Sequence, residues 1–103
     1  MTRASDALFA ALSDPTRRAI FERLIDRGEA NVKNITECLS VSQAAVSKHL
    51  GLLKHVGLVR GWRDGRQTHY SADPRALKPL LDWVDLYGAF WRGETKILEG
   101  PPE

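Results

Sequence analysis

Residues 42–50 read Ser42-Gln-Ala-Ala-Val-Ser-Lys-His-Leu50, which is the pattern of a helix with two different faces. Ser42 is typical of a helix N-cap, because its hydroxyl can accept a hydrogen bond from a backbone N–H of the first turn. Val46, Leu50 and Leu53 recur at i, i+4 and i+7 and therefore form one apolar stripe. The side chains that fall off this stripe are small, hydrogen-bonding or cationic: Gln43, Ala44, Ser47 and Lys48.

The polar face of this helix has the residue types that read the edges of DNA bases. A glutamine amide can pair with an adenine edge through two hydrogen bonds, a serine can bond several base edges, and an alanine can contact a thymine methyl. A short amphipathic segment at residues 35–39 precedes the helix and is joined to it through Ser40 and Val41. Two helices joined by so few residues predict a helix-turn-helix, which we place at about residues 32–55.

Two strand-like runs follow the helix-turn-helix and meet at Asp64-Gly65. Asp-Gly between such runs is a strong signal for a β-hairpin with a type I′ turn, in which both central residues need φ > 0. Arg63 and Arg66 flank the turn of this hairpin, which we place at about residues 57–71. The prediction is a mostly α winged helix-turn-helix, in the order α-α-α-α-β-β-α, with a two-stranded β-hairpin wing.

Positive charge is concentrated in the helix-and-wing segment. The chain carries a net charge of +2, but residues 42–70 hold five basic side chains against one acidic side chain, which gives +4. Residues 1–41 are neutral, and residues 71–103 carry −2. Because protein cations that neutralise phosphates release counterions, this distribution favours a polyanionic partner over a merely solvated basic face.

Length and composition predict a single globular domain over residues 1–103, with 43% apolar and 27% charged side chains. A chain this short buries a modest fraction of its surface, so dimerisation would help to complete its core. Asp82 and Asp85 interrupt the richest apolar stretch, which argues against a membrane span, and residues 1–12 do not resemble a signal peptide. A single cysteine fits a reducing compartment, so we expect a cytoplasmic protein.

Two helices are predicted before the helix-turn-helix. The first covers residues 4–12 and has Ala4, Leu8, Ala11 and Leu12 on one side, which we interpret as a dimer contact, with a plain core helix as the alternative. Asp14-Pro15 is a start signal for the second helix, and Gly28 marks its end.

The last predicted helix starts near Asp73-Pro74 and extends to about residue 98. Proline in a helix interior removes a hydrogen bond, so we expect Pro79 to follow a short turn over residues 74–78 that leads into the main helix, with a helix kinked at Pro79 as the alternative. The main segment is apolar on two sides, and a protomer can bury only one of them comfortably, so the other should meet a second copy. Together with the first helix it supplies the predicted dimer interface: Leu8, Leu12, Leu80, Trp83, Val84, Tyr87, Phe90 and Trp91.

Over roughly residues 5–90, the sequence resembles the ArsR/SmtB family of bacterial repressors. The motifs that carry the resemblance are Asp14-Pro-Thr-Arg-Arg18 with Ile20 and Leu24, Ser42-Gln43 through Ser47-Lys-His-Leu50, Leu53, Gly57-Leu-Val59, and Gly65-Arg66 leading to Tyr70. The resemblance implies a homodimer that binds double-stranded DNA and represses a promoter, often its own. Because a two-fold dimer presents two equivalent helices, we expect an inverted-repeat operator with half-sites about one helical turn apart.

The pattern and the resemblance together assign DNA contacts to three groups of side chains. Reading of major-groove base edges is predicted for Gln43, Ala44, Ser47 and Lys48. Phosphate contacts are predicted for Ser42, His49, Lys54 and Thr16. Arg63 and Arg66 are predicted to reach a phosphate or the minor groove from the wing.

The metal sites of the resembled family are not expected in this chain. In the metal-sensing branch the third helix, here about residues 32–39, carries a Cys-Val-Cys pair, and the corresponding positions are Asn31 and Lys33. Neither side chain can replace a thiolate ligand. No histidine follows His69, which argues against the second metal site that some relatives carry on the last helix. We therefore predict no metal and no cofactor, and we interpret Cys38 as a small, partly buried apolar side chain.

Two alternatives stay open among binding proteins, whereas an enzyme is not supported. The first is a repressor that responds to an inducer or to thiol chemistry, through Cys38 or an aromatic pocket near Trp83 and Trp91. The second is a winged helix that only docks proteins, against which the basic helix-and-wing segment argues. The chain has no Ser/His/Asp grouping, no phosphate-binding Gly-rich loop and no metal-spaced His/Cys set, so we predict no enzymatic activity. The identity of any small-molecule inducer does not follow from the sequence.

Overall fold

Five α-helices and a small antiparallel sheet make up the structure, a computed structural model that describes residues 3–94. The elements follow the chain in the order α1 (Ala4–Ser13), α2 (Pro15–Arg27), β1 (Ala30–Asn31), α3 (Val32–Glu37), α4 (Gln43–His55), β2 (Val59–Asp64), β3 (Gln67–Ala72), a 3-10 turn (Pro74–Leu77) and α5 (Lys78–Trp91). This arrangement confirms the predicted winged helix-turn-helix, with β1 as an additional strand. Within residues 3–94, every helix is too short or too polar to cross a membrane.

A single residue, Asp14, separates α1 from α2 and caps the second helix. Its carboxylate accepts a hydrogen bond of 2.9 Å from the backbone N–H of Arg17. The Arg17 side chain turns back to α1, where its Nε donates to the carbonyl oxygen of Ala11 at 2.7 Å. Arg18 donates in the same way from Nη1 to the carbonyl oxygen of Leu12 at 2.7 Å. The two arginines therefore satisfy carbonyls at the end of α1 that have no partner within the helix, and they join α1 to α2.

The hydrophobic core lies among the first four helices and the start of β2. Its buried side chains are Leu8, Ala11, Ile20, Phe21, Leu24, Ala30, Ile35, Val46, Leu50, Leu53, Leu58 and Val59. Leu8 is only 3% exposed, because it packs into this core. Its assignment to the dimer interface is therefore wrong, and the alternative interpretation of α1 as a core helix is correct for this side chain. Leu12 and Leu80 are partly buried against the same core.

A third strand joins the two strands of the predicted wing. β1 pairs antiparallel with β3, with Ala30 opposite Tyr70 and Asn31 opposite His69, and the sheet order is β1-β3-β2. A strand of two residues is too short to show an alternating pattern, so the sequence did not predict it. β1 attaches the wing to the segment between α2 and α3.

The wing hairpin turns one residue later than predicted. Asp64 pairs with Gln67, so the two loop residues are Gly65 and Arg66. Gly65 has a φ of 68°, and within residues 3–94 only glycines have a positive φ. A positive φ at the first central position alone is the type II′ pattern, so the type I′ prediction is wrong. Arg66 consequently lies in the tip of the wing itself.

Helix α5 starts after a 3-10 turn and ends earlier than predicted. The turn over Pro74–Leu77 places Pro79 in the first turn of α5, where a missing N–H breaks no helical hydrogen bond. The helix ends at Trp91, and Gly93 follows with a φ of 77°, a conformation that terminates a helix. The prediction of a helix to about residue 98 is therefore wrong for residues 92–94, and its remainder lies outside the described residues.

Candidate nucleic-acid interface

Helix α4 is anchored by its apolar stripe and exposes its polar face. Val46, Leu50 and Leu53 are 0% exposed. The Ser42 hydroxyl accepts a hydrogen bond of 3.1 Å from the N–H of Ala45, as expected of an N-cap. The exposed side chains on the rest of the helix include Gln43, Ala44, Ser47, Lys48 and Lys54. A firmly seated helix with such an exposed face has the geometry that enters a DNA major groove.

A tight turn after α4 leads directly into the wing. Gly57 has a φ of 87°, its N–H donates to the carbonyl of Lys54, and the N–H of Leu58 donates to the carbonyl of Leu53, both at 3.0 Å. These two bonds form a Schellman motif, which requires the left-handed conformation that glycine adopts at low cost. Leu58 and Val59 are then buried, so the start of β2 is held in the core. The wing therefore has a fixed position relative to α4.

The wing carries two exposed arginines at its end. Arg63 donates from Nη2 to the carbonyl oxygen of Gly65 at 3.4 Å, and Arg66 lies in the turn. Further back, the Tyr70 ring packs across Gly61, where an added Cβ would come within 3.0 Å of the ring. Glycine at position 61 therefore leaves the space that the Tyr70 ring occupies across the two strands.

A stacked pair of side chains supports the middle of the wing. Trp62 and His69 face each other across β2 and β3, with ring centroids 6.0 Å apart and an interplanar angle of 26°. His69 Nε2 also lies 3.9 Å from a carboxylate oxygen of Asp64. These contacts hold the wing between its buried base and its arginine-bearing tip.

Asn31 links the helix-turn-helix to the wing, a role that the sequence did not reveal. Its Oδ1 accepts a 2.8 Å hydrogen bond from the N–H of Asn34 and so caps α3. Its Nδ2 donates to Oε1 of Gln67 on β3 at 3.0 Å. Asparagine before an amphipathic segment is an N-cap signal, which could have indicated the first bond. The second bond joins residues that are 36 positions apart, so it required the tertiary structure.

A groove lies between α4 and the wing. It is lined by Asn31, Val32, Lys33, Ser47, Arg66, Gln67, Thr68 and Tyr70. Ser47 comes from the exposed face of α4 and Arg66 from the wing tip, so the structure brings the two predicted contact regions together. The lining includes two cations and no carboxylate. Its positive charge suits contact with the negatively charged phosphate backbone of DNA.

Two predicted phosphate contacts, Thr16 and His49, are half-buried near the start of α2. Thr16 lines a depression between α2 and the connection from α3 to α4. His49 lies near the Asp14 carboxylate. The pKa of Asp14 is lowered chiefly by the hydrogen bond from the Arg17 N–H, against the opposing effect of burial, and the charges of His49 and Arg17 lower it further. His49 therefore lies where α4 meets the start of α2, and its contact with a phosphate stays a prediction.

The single cysteine is exposed, so its interpretation as a partly buried side chain is wrong. Cys38 follows the last residue of α3, and Arg27 Nη1 lies 3.3 Å from its sulfur. Within residues 3–94, no three His, Cys, Asp or Glu side chains are grouped so that they could hold a metal ion.

Helices α1 and α5 share an exposed apolar surface. None of the fourteen residues of α5 is buried, and Val84, Tyr87 and Trp91 are 51%, 50% and 88% exposed. Phe9 of α1 packs edge-on against Trp83, with ring centroids 5.2 Å apart. The sequence did not single out Phe9, because it lies off the apolar side of α1. The ring centroids of Trp83 and Tyr87 lie 5.0 Å apart, so the rings of Phe9, Trp83 and Tyr87 form a continuous row.

Comparison with known proteins identifies the class of regulator. A family model described as a helix-turn-helix domain matches residues 12–61. The HTH-type transcriptional regulator Rv2034 of Mycobacterium tuberculosis is 40% identical over 98 residues, which cover 95% of this chain and 85% of that protein. The transcriptional repressor SdpR of Bacillus subtilis is 32% identical over 77 residues, which cover 75% of this chain and 84% of that protein. Among solved structures, an ArsR-like transcriptional regulator from Rhodococcus sp. RHA1 matches with a TM-score of 0.73 and 34% identity, over 86% of this chain and 83% of that one.

These relatives are transcriptional regulators, a class without enzymatic activity. Their likeness extends over most of the chain, so it confirms the resemblance found in the sequence motifs. The exposed face of α4 and the arginine-bearing wing are the parts with which winged helices contact DNA. The chain belongs to the ArsR/SmtB family of winged helix-turn-helix, DNA-binding transcriptional regulators.

Proposed function

We propose that two copies of this chain form a homodimer that binds an inverted-repeat operator in double-stranded DNA and represses the promoter that contains it. The observation that carries the proposal is the groove in which Ser47 of α4 and Arg66 of the wing line one surface without a carboxylate. A DNA duplex offers a major groove to a helix and adjacent phosphates to a wing. This surface matches both.

The exposed face of α4 would read the base edges. Gln43 lies in the first turn, from which helix-turn-helix proteins contact bases, and its amide offers one donor and one acceptor to an adenine. The other proposed base contacts are Ala44, Ser47 and Lys48. Ala44 is small enough to let the helix approach closely.

Phosphate contacts would set the position of α4 in the groove. Ser42 caps the start of α4, Lys54 lies in its last turn, and Thr16 lies beside the connection that precedes it. His49, half-buried on α4, is the fourth proposed phosphate contact. Arg63 and Arg66 would extend the contact from the wing to a phosphate or the minor groove. Contacts of this kind fix the register and orientation of the protein but carry little sequence information.

The shared surface of α1 and α5 would form the dimer interface. Its exposed aromatic and aliphatic side chains would be covered by the same surface of a second copy, as a two-fold interface requires. The proposed contacts are Phe9, Leu12, Leu80, Trp83, Val84, Tyr87, Phe90 and Trp91. Two α4 helices related by this two-fold axis would read the two halves of an inverted repeat.

The direct test is selection of bound fragments from a pool of random DNA duplexes by the purified protein. We expect enrichment of an inverted repeat with half-site centres about 10 base pairs apart. Ser47→Glu places a carboxylate in the groove and should abolish enrichment, whereas Ser47→Gln, of similar size and without charge, should retain salt-dependent binding to DNA. An operator recovered in this way should lower transcription of a reporter gene when the protein is present. Equal recovery of all sequences by the wild-type protein would contradict the proposal, as would binding only to other proteins.

A further inference from the structure

We propose that Lys33 binds a phosphate of the DNA backbone, together with Arg66, in the groove between α4 and the wing. The inference rests on the proposed binding of operator DNA by that surface and adds a contact from α3. Lys33 lies in the first turn of α3, outside the helix and the hairpin that the sequence singled out for DNA contacts.

The groove brings Lys33 to the DNA-facing side of the molecule. Lys33 lines it from α3, Ser47 lines it from α4, and Arg66 and Thr68 line it from the wing. When α4 lies in the major groove and the wing tip touches the same duplex, one backbone strand of the DNA has to pass over the space between α4 and the wing. Lys33 is therefore within the footprint of the backbone.

The charges in the groove are not neutralised by the protein. Neither Lys33 nor Arg66 has a carboxylate within 4.0 Å among residues 3–94. By contrast, Lys78 lies 3.0 Å from Asp82. Two exposed cations without acidic partners can exchange bound counterions for a phosphate, which is the step that drives DNA binding. The hydroxyl groups of Ser47 and Thr68 in the same lining can donate further hydrogen bonds to phosphate oxygens.

Asn31 links the two segments that carry these cations. It caps the helix that carries Lys33, and its side-chain amide is bonded to Gln67, which directly follows Arg66. Asn31 joins α3 to the wing, and Lys33 supplies a charge beside that joint. A lysine offers three donors on a point charge and no fixed bidentate geometry, so the contact would add affinity without base preference.

The test measures affinity for the operator and for a random duplex at several salt concentrations, with wild type, Lys33→Gln, Lys33→Arg and Arg75→Gln. Lys33→Gln should reduce the slope of log affinity against log salt by about one unit on both duplexes, as for one lost phosphate contact. A fourfold rise in salt would then weaken binding by about three to four times less than it does for wild type. Lys33→Arg should retain the wild-type slope. Arg75→Gln is the matched control, because it removes one positive charge from a side chain that is paired with Asp73 and lies outside the groove.

Each outcome bears on one of the two proposals. An equal slope for wild type and Lys33→Gln would overturn the role of Lys33, and an equal loss in Lys33→Gln and Arg75→Gln would show a general charge effect and also overturn it. Absence of operator preference in the wild-type protein would instead contradict the proposed function. Inorganic phosphate, titrated at constant ionic strength and followed by amide chemical shifts at residues 33 and 66, distinguishes a free anion from DNA. Saturation at millimolar phosphate, together with an unchanged salt slope in Lys33→Gln, would assign the groove to a free anion and reject the DNA contact.

Discussion

Helices α4 and α5 have nearly the same length, thirteen and fourteen residues, but opposite relations to the core. α4 buries Val46, Leu50 and Leu53 completely, and its exposed side chains are mostly small, amide or cationic, with Leu52 as the apolar exception. α5 buries none of its residues and exposes large apolar ones. Within one protomer the apolar stripe of α4 is fully packed, and the face of α4 that stays exposed suits water and polyanions. The exposed apolar surface of α5 instead favours contact with another apolar surface.

The junction at Asp14 connects the two surfaces. Arg17 and Arg18 join α2 to the end of α1, a helix that packs against α5, while the Asp14 carboxylate lies near His49 of α4. The distance between the two α4 helices of a dimer would therefore depend on how α1 and α5 dock, and also on how this junction holds α2. Substitutions in α4 and α5 should accordingly change different measurements.

The largest expected effect comes from the buried stripe of α4. Leu50→Ala should lower the free energy of unfolding by about 2–5 kcal/mol, because the truncation leaves a cavity in a packed core. Leu52→Ala is the matched control on the same helix, since Leu52 is 40% exposed. Urea denaturation at one fixed protein concentration compares the two variants, because the stability of a dimer depends on concentration. Equal losses for Leu50→Ala and Leu52→Ala would contradict the burial pattern of α4.

A charge in the exposed surface of α5 should separate the protomers. Val84→Lys should raise the dimer dissociation constant by about a hundredfold or more, because even a neutral polar group costs about 1–3 kcal/mol when it is buried without a partner. Asp85→Lys introduces the same side chain about 100° further around the helix and should change the constant much less. Sedimentation equilibrium measures both. If wild type is a folded monomer at micromolar concentration, or if the two variants dissociate equally, α5 does not form the interface.

The polar face of α4 should determine sequence preference. Gln43→Ala should cost about 1–3 kcal/mol of binding free energy on the operator and little on a duplex changed at the base pair that Gln43 reads. Arg66→Ala is the contrasting variant, because loss of a phosphate contact weakens binding to all duplexes alike. Binding isotherms on the operator, the changed operator and a random duplex separate the two patterns. A uniform loss for Gln43→Ala on all three would show that α4 does not read bases through this residue.

The winged helix-turn-helix could be predicted from the sequence because its signals are local. The apolar spacing of Val46, Leu50 and Leu53 and the cap at Ser42 depend only on residues within one helix, and the structure confirms them. The hairpin was also predicted, since a glycine between two strand-like runs favours a turn. Its register differs by one residue because the pairing of β2 with β3 depends on contacts along both strands.

The features that could not be predicted depend on residues far apart in the chain. The bond between Asn31 and Gln67 and the contact between Phe9 and Trp83 each join elements that are distant in sequence. Leu8 shows the same limit, since an apolar helix face is equally compatible with a core and with an interface until the neighbouring helices are placed. The DNA contacts of α4 and the wing remain predictions, because a contact depends on the partner as well as on the exposed side chain.

The smallest expected effect concerns the junction between the two surfaces. The pKa of Asp14 is lowered from its ordinary value of 3.8 in the folded protein, chiefly because its carboxylate accepts the Arg17 N–H. A carboxyl group of this kind stabilises the fold fully above its unfolded pKa, and the stabilisation is lost as the pH falls through the folded pKa. Asp14→Asn keeps a side-chain acceptor for the cap but has no charge to titrate, so wild type should be the more stable protein at neutral pH. The difference should shrink as the pH falls below 3.8, as measured by urea denaturation of both proteins over the acid range. A difference that stays constant into acid would show that the carboxylate charge does not stabilise the start of α2.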